Sequence, residues 1–266
     1  MIHKFWRTPS LDEEIRERVI HIEAKIDSVL DRFGGLVDEK NTYRGHPDQL
    51  FGGITYSQSG EDLIIINIFH MNGINNPSYI DIGAHHPFNI SNTALLYLHG
   101  SRGINVEANP NLIQAFNLHR HEDINLNCGV GPKSGSFNFY FIDDFSGRNT
   151  FSREDAEEFV KLNPKFRIQK VQQISVKTID DIISDYAGGK FPDLLSIDAE
   201  GWDIDILRSA SFDKSRPMVI CVEVELNGES DRASRLAGIM RELGYKFYVR
   251  TVSNLIFVYH DAMISL

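Results

Sequence analysis

Acidic residues close four apolar runs of this 266-residue sequence. They are Asp81, Glu107, the pair Asp198 and Glu200, and Glu223. In an open parallel sheet the carboxyl ends of the strands meet along one edge, and ligands bind there. Carboxylates at such an edge can accept hydrogen bonds from ribose hydroxyls, remove a proton from a substrate or bind a divalent metal.

The first of these runs continues into the turn Asp-Ile-Gly-Ala-His-His-Pro at 81–87. A nicotinamide site would need the pattern G-x-G-x-x-G, whose later glycines admit a pyrophosphate to the start of a helix. This turn has only Gly83, so pyrophosphate binding is disfavoured. An adenosyl cofactor without phosphates needs one small residue at the turn and an acid, here Glu107, that accepts hydrogen bonds from both ribose hydroxyls. S-adenosylmethionine fits this description, and a site rimmed with acids suits its positive sulfonium.

Segments of helical and strand character alternate from residue 57 onward. The predicted helices cover 57–72, 92–100, 111–120, 152–162, 178–186, 203–210 and 230–244. The predicted strands cover 79–83, 103–109, 124–131, 136–143, 173–178, 193–201, 218–226, 245–251 and 254–261. This alternation predicts an α/β fold with a doubly wound, mainly parallel sheet. The last two strands predict a closing hairpin that adds an antiparallel strand at one edge.

Apolar residues from Leu11 to Phe33 recur in steps of four and three, which predicts one N-terminal helix with a continuous apolar seam. A polar segment separates this helix from the following elements. We therefore interpret residues 1–50 as a helix and linker through which the chain forms a homo-oligomer, and 51–266 as the α/β domain. The alternative is that the helix packs back on its own domain.

The composition argues against several classes of protein. A formal charge of −10 disfavours a broad nucleic-acid interface. The sequence has no run of about 18 uncharged apolar residues, and its first residues lack the apolar core of a secretion signal. Cys128 and Cys221 are too few for a disulfide framework or a thiolate metal site. We expect a cytoplasmic protein that binds neither nucleic acid nor membranes.

Six short motifs follow one another in order between Tyr56 and Glu225. They are SQSGED at 57–62, DIGAHHP at 81–87, SNT at 91–93, GINVEANP at 103–110, VKTIDD at 176–181 and LLSIDAEGWDIDIL at 194–207. In this order they resemble the FkbM-type S-adenosylmethionine-dependent methyltransferases. The resemblance implies a Rossmann-like methyltransferase fold for 51–266. It also implies methyl transfer, usually to a hydroxyl of a sugar or related natural product.

The resemblance also assigns roles to individual residues. It implies active-site roles for Asp198 and Glu200. It implies cofactor contacts for Gln58, Glu61, Asp81, Gly83, Ala84 and Glu107. Many members of the family carry Gly or Asn where this chain has His85, and the resemblance assigns that histidine no role.

Methyl transfer to an alcohol needs a group that removes the hydroxyl proton, because a neutral hydroxyl is a poor nucleophile. A carboxylate or histidine can act as the base, or a divalent metal can acidify the bound oxygen. Asp198 and Glu223, at the ends of successive strands, predict a site for one Mg²⁺ or Mn²⁺. We assign His86 to the active site as base or metal ligand; the alternative is a turn histidine bonded to backbone.

The segment 143–170 is long for a connection, and long connections often cover a site or select substrate. Four of its basic residues suit the phosphate of a nucleotide-sugar, although solvated surface charges are the alternative. They are Arg148, Arg153, Lys165 and Arg167.

Three functions compete on these observations. The first is an O-methyltransferase acting on a sugar, a nucleotide-sugar or another glycosylated metabolite. The second is a nicotinamide-dependent oxidoreductase, and the third is a non-catalytic oligomeric assembly module built around the N-terminal helix. The order of the motifs favours the first, and the missing glycines argue against the second.

Overall fold

The structure is a computed structural model of the chain, and it describes residues 55–199, 201–224 and 230–259. The predicted helix and linker of residues 1–50 lie outside this range, and so does Glu200. The homo-oligomer and the domain boundary at residue 50 therefore stay predictions. No helix within the described range is both long enough and apolar enough to cross a membrane.

Seven helices and ten strands are present in the described residues. The helices are α1 (Glu61–Met71), α2 (Ala94–Leu98), α3 (Ile113–His119), α4 (Arg153–Leu162), α5 (Ile179–Tyr186), α6 (Asp203–Ser209) and α7 (Ser230–Glu242). The strands are β1 (Tyr79–Ile82), β2 (Gly103–Val106), β3 (Ile124–Leu126), β4 (Gly129–Val130), β5 (Gly135–Phe141), β6 (Lys170–Lys177), β7 (Leu194–Ile197), β8 (Val219–Glu223), β9 (Tyr245–Arg250) and β10 (Asn254–Tyr259).

Seven of the strands form one sheet in the order β3-β2-β1-β7-β8-β10-β9. Five strands of this sheet are parallel to one another: β3, β2, β1, β7 and β8. Strand β10 is antiparallel to both of its neighbours, β8 and β9. This confirms the mainly parallel sheet and the closing hairpin. The antiparallel strand β10, however, lies one place inside the edge, and β9 forms the edge. This order follows from burial, because β10 is nearly all apolar and buried, whereas β9 is charged and more exposed.

Helices cover both faces of this sheet, as the doubly wound prediction requires. Successive strand residues point to opposite faces, so Ile80 and Tyr79 belong to different cores. The core around Ile80 contains apolar residues of α5, α6 and α7. The core around Tyr79 contains apolar residues of α1 and α2.

A second sheet, which the sequence analysis did not predict, has the strand order β4-β6-β5. The predicted single strand at 124–131 is divided between the two sheets, with β3 in the first and β4 in the second. The break lies at Asn127, whose side-chain amide donates to the carbonyls of Glu107 and Ala108 at 2.9 and 3.1 Å. Gly129 then lets the chain pass against Phe151, because an added Cβ would lie 2.4 Å from that ring.

A buried polar cluster joins the end of α3 to β1. The fully buried Arg120 side chain donates hydrogen bonds to Asp123 at 2.9 Å, to the Tyr79 hydroxyl at 2.6 Å and to Thr93 at 3.0 Å. Thr93 in turn donates to Asp81 at 2.6 Å. The guanidinium is charged and shielded from water. Its burial is therefore tolerated only because these partners are present together.

Replacing Arg120 with Met should lower the free energy of unfolding by about 3 to 5 kcal/mol, because Asp123 would remain buried without its cation. Urea denaturation measures this change. The control is Arg102→Met, which removes a cation paired with Glu122 at the surface and should cost far less. Equal losses in the two variants would show that the cluster does not hold the fold.

Candidate functional site

A cavity of about 310 Å³ lies at the carboxyl ends of β2, β1, β7 and β8. Its wall includes one predicted site residue from each of these strand ends, in that order: Glu107, Gly83, Asp198 and Glu223. Since the strands are neighbours in the sheet, the cavity has one end at β2 and another at β8. The parallel sheet therefore collects these four residues although they are distant in sequence.

Gly83 forms the turn at the end of β1, and its φ of 75° is in the left-handed region. A Cβ at this position would lie 1.8 Å from the carbonyl oxygen of Asp198. The sequence pattern predicts that the glycine allows close approach of a cofactor. The structure shows a second reason, which is that the backbone at the end of β7 occupies the space where a side chain would be.

Glu107 follows β2, and its carboxylate is held by two backbone N–H groups. Oε1 accepts from Asn109 at 2.7 Å and Oε2 accepts from His85 at 2.9 Å. Burial raises the pKa of Glu107 above its ordinary value, although both hydrogen bonds act in the opposite direction. Each carboxylate oxygen has lone pairs for a further hydrogen bond. Glu107 is thus fixed at the cavity wall as an acceptor.

Two other residues assigned to the cofactor, Asp81 and Ala84, are not among those that line the cavity. The carboxylate of Asp81 is buried and accepts a hydrogen bond from the Thr93 hydroxyl. Burial raises the pKa of Asp81. Ala84 packs against Ile113 and Phe116. Both residues therefore contact the protein interior beside the turn and not the cavity.

Gln58 and Glu61 are also divided by the structure. Gln58 lines the cavity, whereas Glu61 is fully buried outside its wall. The Glu61 carboxylate accepts hydrogen bonds from Ser59, Thr251 and Asn254. Burial alone would raise the pKa of Glu61, but these hydrogen bonds outweigh it and the pKa is lowered. Glu61 thus ties the start of α1 to the β9–β10 hairpin.

The structure places one of the two adjacent histidines at the cavity wall, and it is not His86, whose assignment to the active site stays a prediction. His86 does not line the cavity; its Nδ1 accepts hydrogen bonds from the backbone of Phe88 at 3.1 Å and Asn89 at 2.9 Å. Burial, together with His85 and His119, lowers the pKa of His86, as suits a neutral ring that accepts. His85 lines the cavity instead, because its φ of 53° turns the chain in a way that strand alternation does not predict.

Asp198 and Glu223 both line the cavity, and they follow the paired positions Ile197 and Val222 of β7 and β8. Within the described ranges no group of three or more His, Cys, Asp or Glu side chains is placed to hold a metal ion. The described residues therefore give the predicted Mg²⁺ or Mn²⁺ site no support. Glu200 lies outside those ranges, so its assignment stays a prediction.

The turn that carries Asp198 is held by a buried carboxylate that the sequence analysis missed. Asp203 accepts a hydrogen bond from the Ala199 backbone at 2.9 Å and one from Arg232 of α7 at 2.7 Å. Burial raises the pKa of Asp203, and both partners oppose that rise. The sequence signal was an acid in the first turn of a helix, a position that usually indicates only capping.

The loop between β5 and α4 supplies one wall of the cavity. Residues 146–151 of this loop line it. The side-chain amides of Asn109 and Asn111 donate to the Asp144 carbonyl at 2.9 and 3.2 Å, and His85 Nε2 donates to the Phe145 carbonyl at 3.3 Å. The turns after β1 and β2 therefore hold the loop in place. The length of the connection predicts that it covers a site, but nothing in the sequence pattern indicates the asparagines that hold it.

The wall near β2 is largely apolar. It includes Val106, Cys128, Phe139 and Phe151. Burial raises the pKa of the Cys128 thiol to about 11, so this group stays protonated and adds to the apolar surface.

Comparison with known proteins gives a family. The Methyltransferase FkbM domain matches residues 81–247, more than half of the chain. A search of curated proteins found no match.

Two solved structures are similar to this chain. One is the methyltransferase FkbM of Methylobacillus flagellatus KT, at 16% identity and a TM-score of 0.40, covering 70% of this chain and 44% of that one. The other is the precorrin-6y C5,15-methyltransferase of Geobacter metallireducens GS-15, at 12% identity and a TM-score of 0.35, covering 80% of this chain and 95% of that one. This chain thus spans less than half the length of the first of them.

Gly83→Ala should destabilise the protein by about 3 kcal/mol or more, because the methyl group clashes with the β7 backbone and the left-handed conformation disfavours a Cβ. Gly73→Ala is the matched control. Gly73 has a similar φ of 73° with nothing within 4 Å of its added Cβ, so it reports the conformational cost alone. Urea denaturation compares the two, and equal losses would show that the contact with Asp198 is unimportant.

Proposed function

This chain belongs to the family of FkbM methyltransferase domains, and from that premise we propose that it methylates a hydroxyl of a sugar or nucleotide-sugar. The family assignment implies S-adenosylmethionine as the methyl donor and sets aside the nicotinamide-dependent oxidoreductase. The observation that supports the proposal best is Glu107, a buried carboxylate held at the cavity wall by two backbone N–H groups.

The donor fits the β2 end of the cavity. Glu107 accepts hydrogen bonds from the two ribose hydroxyls, and the apolar wall of Val106, Phe139 and Phe151 packs against the adenine. The methionine portion then extends along the sheet edge past Gly83. This direction brings the positive sulfonium toward Asp198 and Glu223, whose negative charges stabilise it.

The acceptor occupies the β8 end, beyond the methyl group. S-adenosylmethionine held beside Glu107 and Gly83 would supply an electrophilic methyl group to the hydroxyl oxygen, and its sulfur would keep the electron pair of the carbon–sulfur bond that breaks. The hydroxyl proton passes to the carboxylate of Asp198, which acts as the general base. Holding the three atoms in line contributes much of the acceleration.

A phosphate on the acceptor is supported by Arg148. Of Arg148, Arg153, Lys165 and Arg167, it is Arg148 that lines the cavity. Arg153 lies on the surface and pairs with Glu157 at 2.7 Å, as expected for an ordinary solvated charge. A guanidinium at the cavity suits a diphosphate oxygen of a nucleotide-sugar.

Asp198→Asn should lower kcat about 10²- to 10⁴-fold while leaving the affinity for S-adenosylhomocysteine unchanged, because it removes the base and keeps the side-chain shape. The assay measures methyl transfer from labelled S-adenosylmethionine to UDP-glucose, GDP-mannose and dTDP-rhamnose. The control is Asp180→Asn, an acid outside the cavity wall. Full activity in Asp198→Asn would remove this base from the mechanism.

The same assay with EDTA tests the predicted Mg²⁺ or Mn²⁺. Unchanged activity after chelation would reject the metal and leave the base proposal in place. A chain that binds no S-adenosylhomocysteine and methylates no acceptor would favour the non-catalytic assembly module instead.

Lowering the pH should weaken the binding of S-adenosylhomocysteine, since a protonated Glu107 loses an acceptor oxygen for the ribose. Because the pKa of Glu107 is raised by burial, this loss should begin at a higher pH than an ordinary carboxyl would give. Glu107→Gln should bind about ten- to a hundredfold more weakly at neutral pH and lose this pH dependence.

Titration calorimetry from mildly acidic to neutral pH measures both effects. Glu223→Gln, a change at the other end of the cavity, is the control and should keep the pH dependence of the wild type. A Glu107→Gln variant that also kept it would contradict the assignment of the ribose contact.

A further inference from the structure

Two non-glycine residues in the described ranges have a positive φ, and both line the cavity: His85 and Ile90. Ile90 has a φ of 55°. We infer that Ile90 contacts the methyl acceptor and helps to select it, and this inference rests on the proposed function. The acceptor group that it recognises is the apolar C–H face of a sugar ring beside the reacting hydroxyl.

The conformation of Ile90 is costly and brings no compensating burial. A β-branched residue in the left-handed region is a true outlier, disfavoured by about 1 to 3 kcal/mol. Its side chain is 55% exposed, so packing within the protein does not offset that cost. Strained residues of this kind occur preferentially where a ligand is bound. The unused apolar surface of Ile90 faces the cavity that the ligand enters.

Hydrogen bonds of the two residues after Ile90 tie its segment to the rest of the domain. The backbone N–H of Ser91 donates to the Tyr56 carbonyl at 2.9 Å. The Asn92 side chain donates to Ser196 of β7 at 3.3 Å and to the Cys221 sulfur of β8 at 3.6 Å. Ile90 thus stands two residues from a side chain bonded to β7 and β8, the strands whose ends carry Asp198 and Glu223.

The link through Asn92 to β7 and β8 favours the acceptor end of the cavity for Ile90. The proposed ribose site lies after β2, whereas the acceptor is proposed to bind near Asp198 and Glu223 at the ends of β7 and β8. An aliphatic side chain lacks hydrogen-bonding groups and contacts carbon. The hydroxyls of the sugar are then left to polar residues such as Gln58, which lines the same cavity.

Ile90→Asn should weaken acceptor binding without lowering stability. Asn tolerates the left-handed region, so the fold should not be destabilised, and it removes the apolar surface proposed to contact the acceptor. We expect an unchanged or higher Tm, an unchanged affinity for S-adenosylhomocysteine, and about a tenfold higher KM for the methylated nucleotide-sugar. Ile90→Val keeps most of the apolar surface and the branched side chain, so it should raise KM far less than Ile90→Asn does. A clearly lower Tm in Ile90→Asn, or an unchanged KM, would overturn the inference.

Cysteine labelling tests the position of Ile90 without any acceptor. In Ile90→Cys, a maleimide should react at the same rate with and without saturating S-adenosylhomocysteine. In Ala108→Cys, at the donor end, the same ligand should slow the reaction, and the wild type corrects for Cys128 and Cys221. Protection of Ile90→Cys by S-adenosylhomocysteine would place Ile90 at the donor and overturn the inference.

The two experiments distinguish their possible failures. If none of UDP-glucose, GDP-mannose and dTDP-rhamnose is methylated, the proposed acceptor class fails, and labelling alone decides where Ile90 stands. If one of them is methylated and Ile90→Asn has the wild-type KM for it, the proposed function stands and the inference about Ile90 is wrong.

Discussion

The site depends on one close contact between backbones, that of Gly83 against the carbonyl of Asp198. An added Cβ would lie 1.8 Å from that oxygen, so no side chain fits between the ends of β1 and β7. The contact also positions the turns at the ends of both strands. On one side, the turn after Gly83 carries the His85 N–H that holds Glu107, and on the other, the β7 end carries Asp198. The proposed donor site and the proposed base are therefore built from the same junction.

Much of this arrangement could be predicted from the sequence, because it depends on strand order. Acids at strand ends indicated the cavity edge, and Glu107, Asp198 and Glu223 all lie in its wall. Asp81 and Glu61 show the limit of that signal. Both are acids near element ends, but each is buried among hydrogen-bond donors outside the wall. An acid that binds a ligand and an acid that anchors the fold have the same sequence pattern, and only their neighbours in space distinguish them.

The parts that were missed depend on local geometry rather than on pattern. Residues 124–131 have strand character throughout, yet the chain leaves one sheet and joins another at Asn127, where a side-chain amide binds two backbone carbonyls. The placement of His85 and His86 also depends on local geometry. The left-handed conformation of His85 changes which side chain faces the cavity, and residue type does not reveal such a conformation for histidine. The second sheet matters because its loop completes the cavity.

The cluster around Arg120 has a consequence for how this protein can diverge. The Arg120 side chain is fully buried, so water does not replace a lost hydrogen-bond partner. A change at Tyr79, Thr93 or Asp123 alone therefore leaves the guanidinium without one of its acceptors. An acceptable change must alter several positions at once, for instance by exchanging the whole set for apolar residues of similar volume. These positions should accordingly covary among homologous sequences, as a single inherited unit that persists or disappears together.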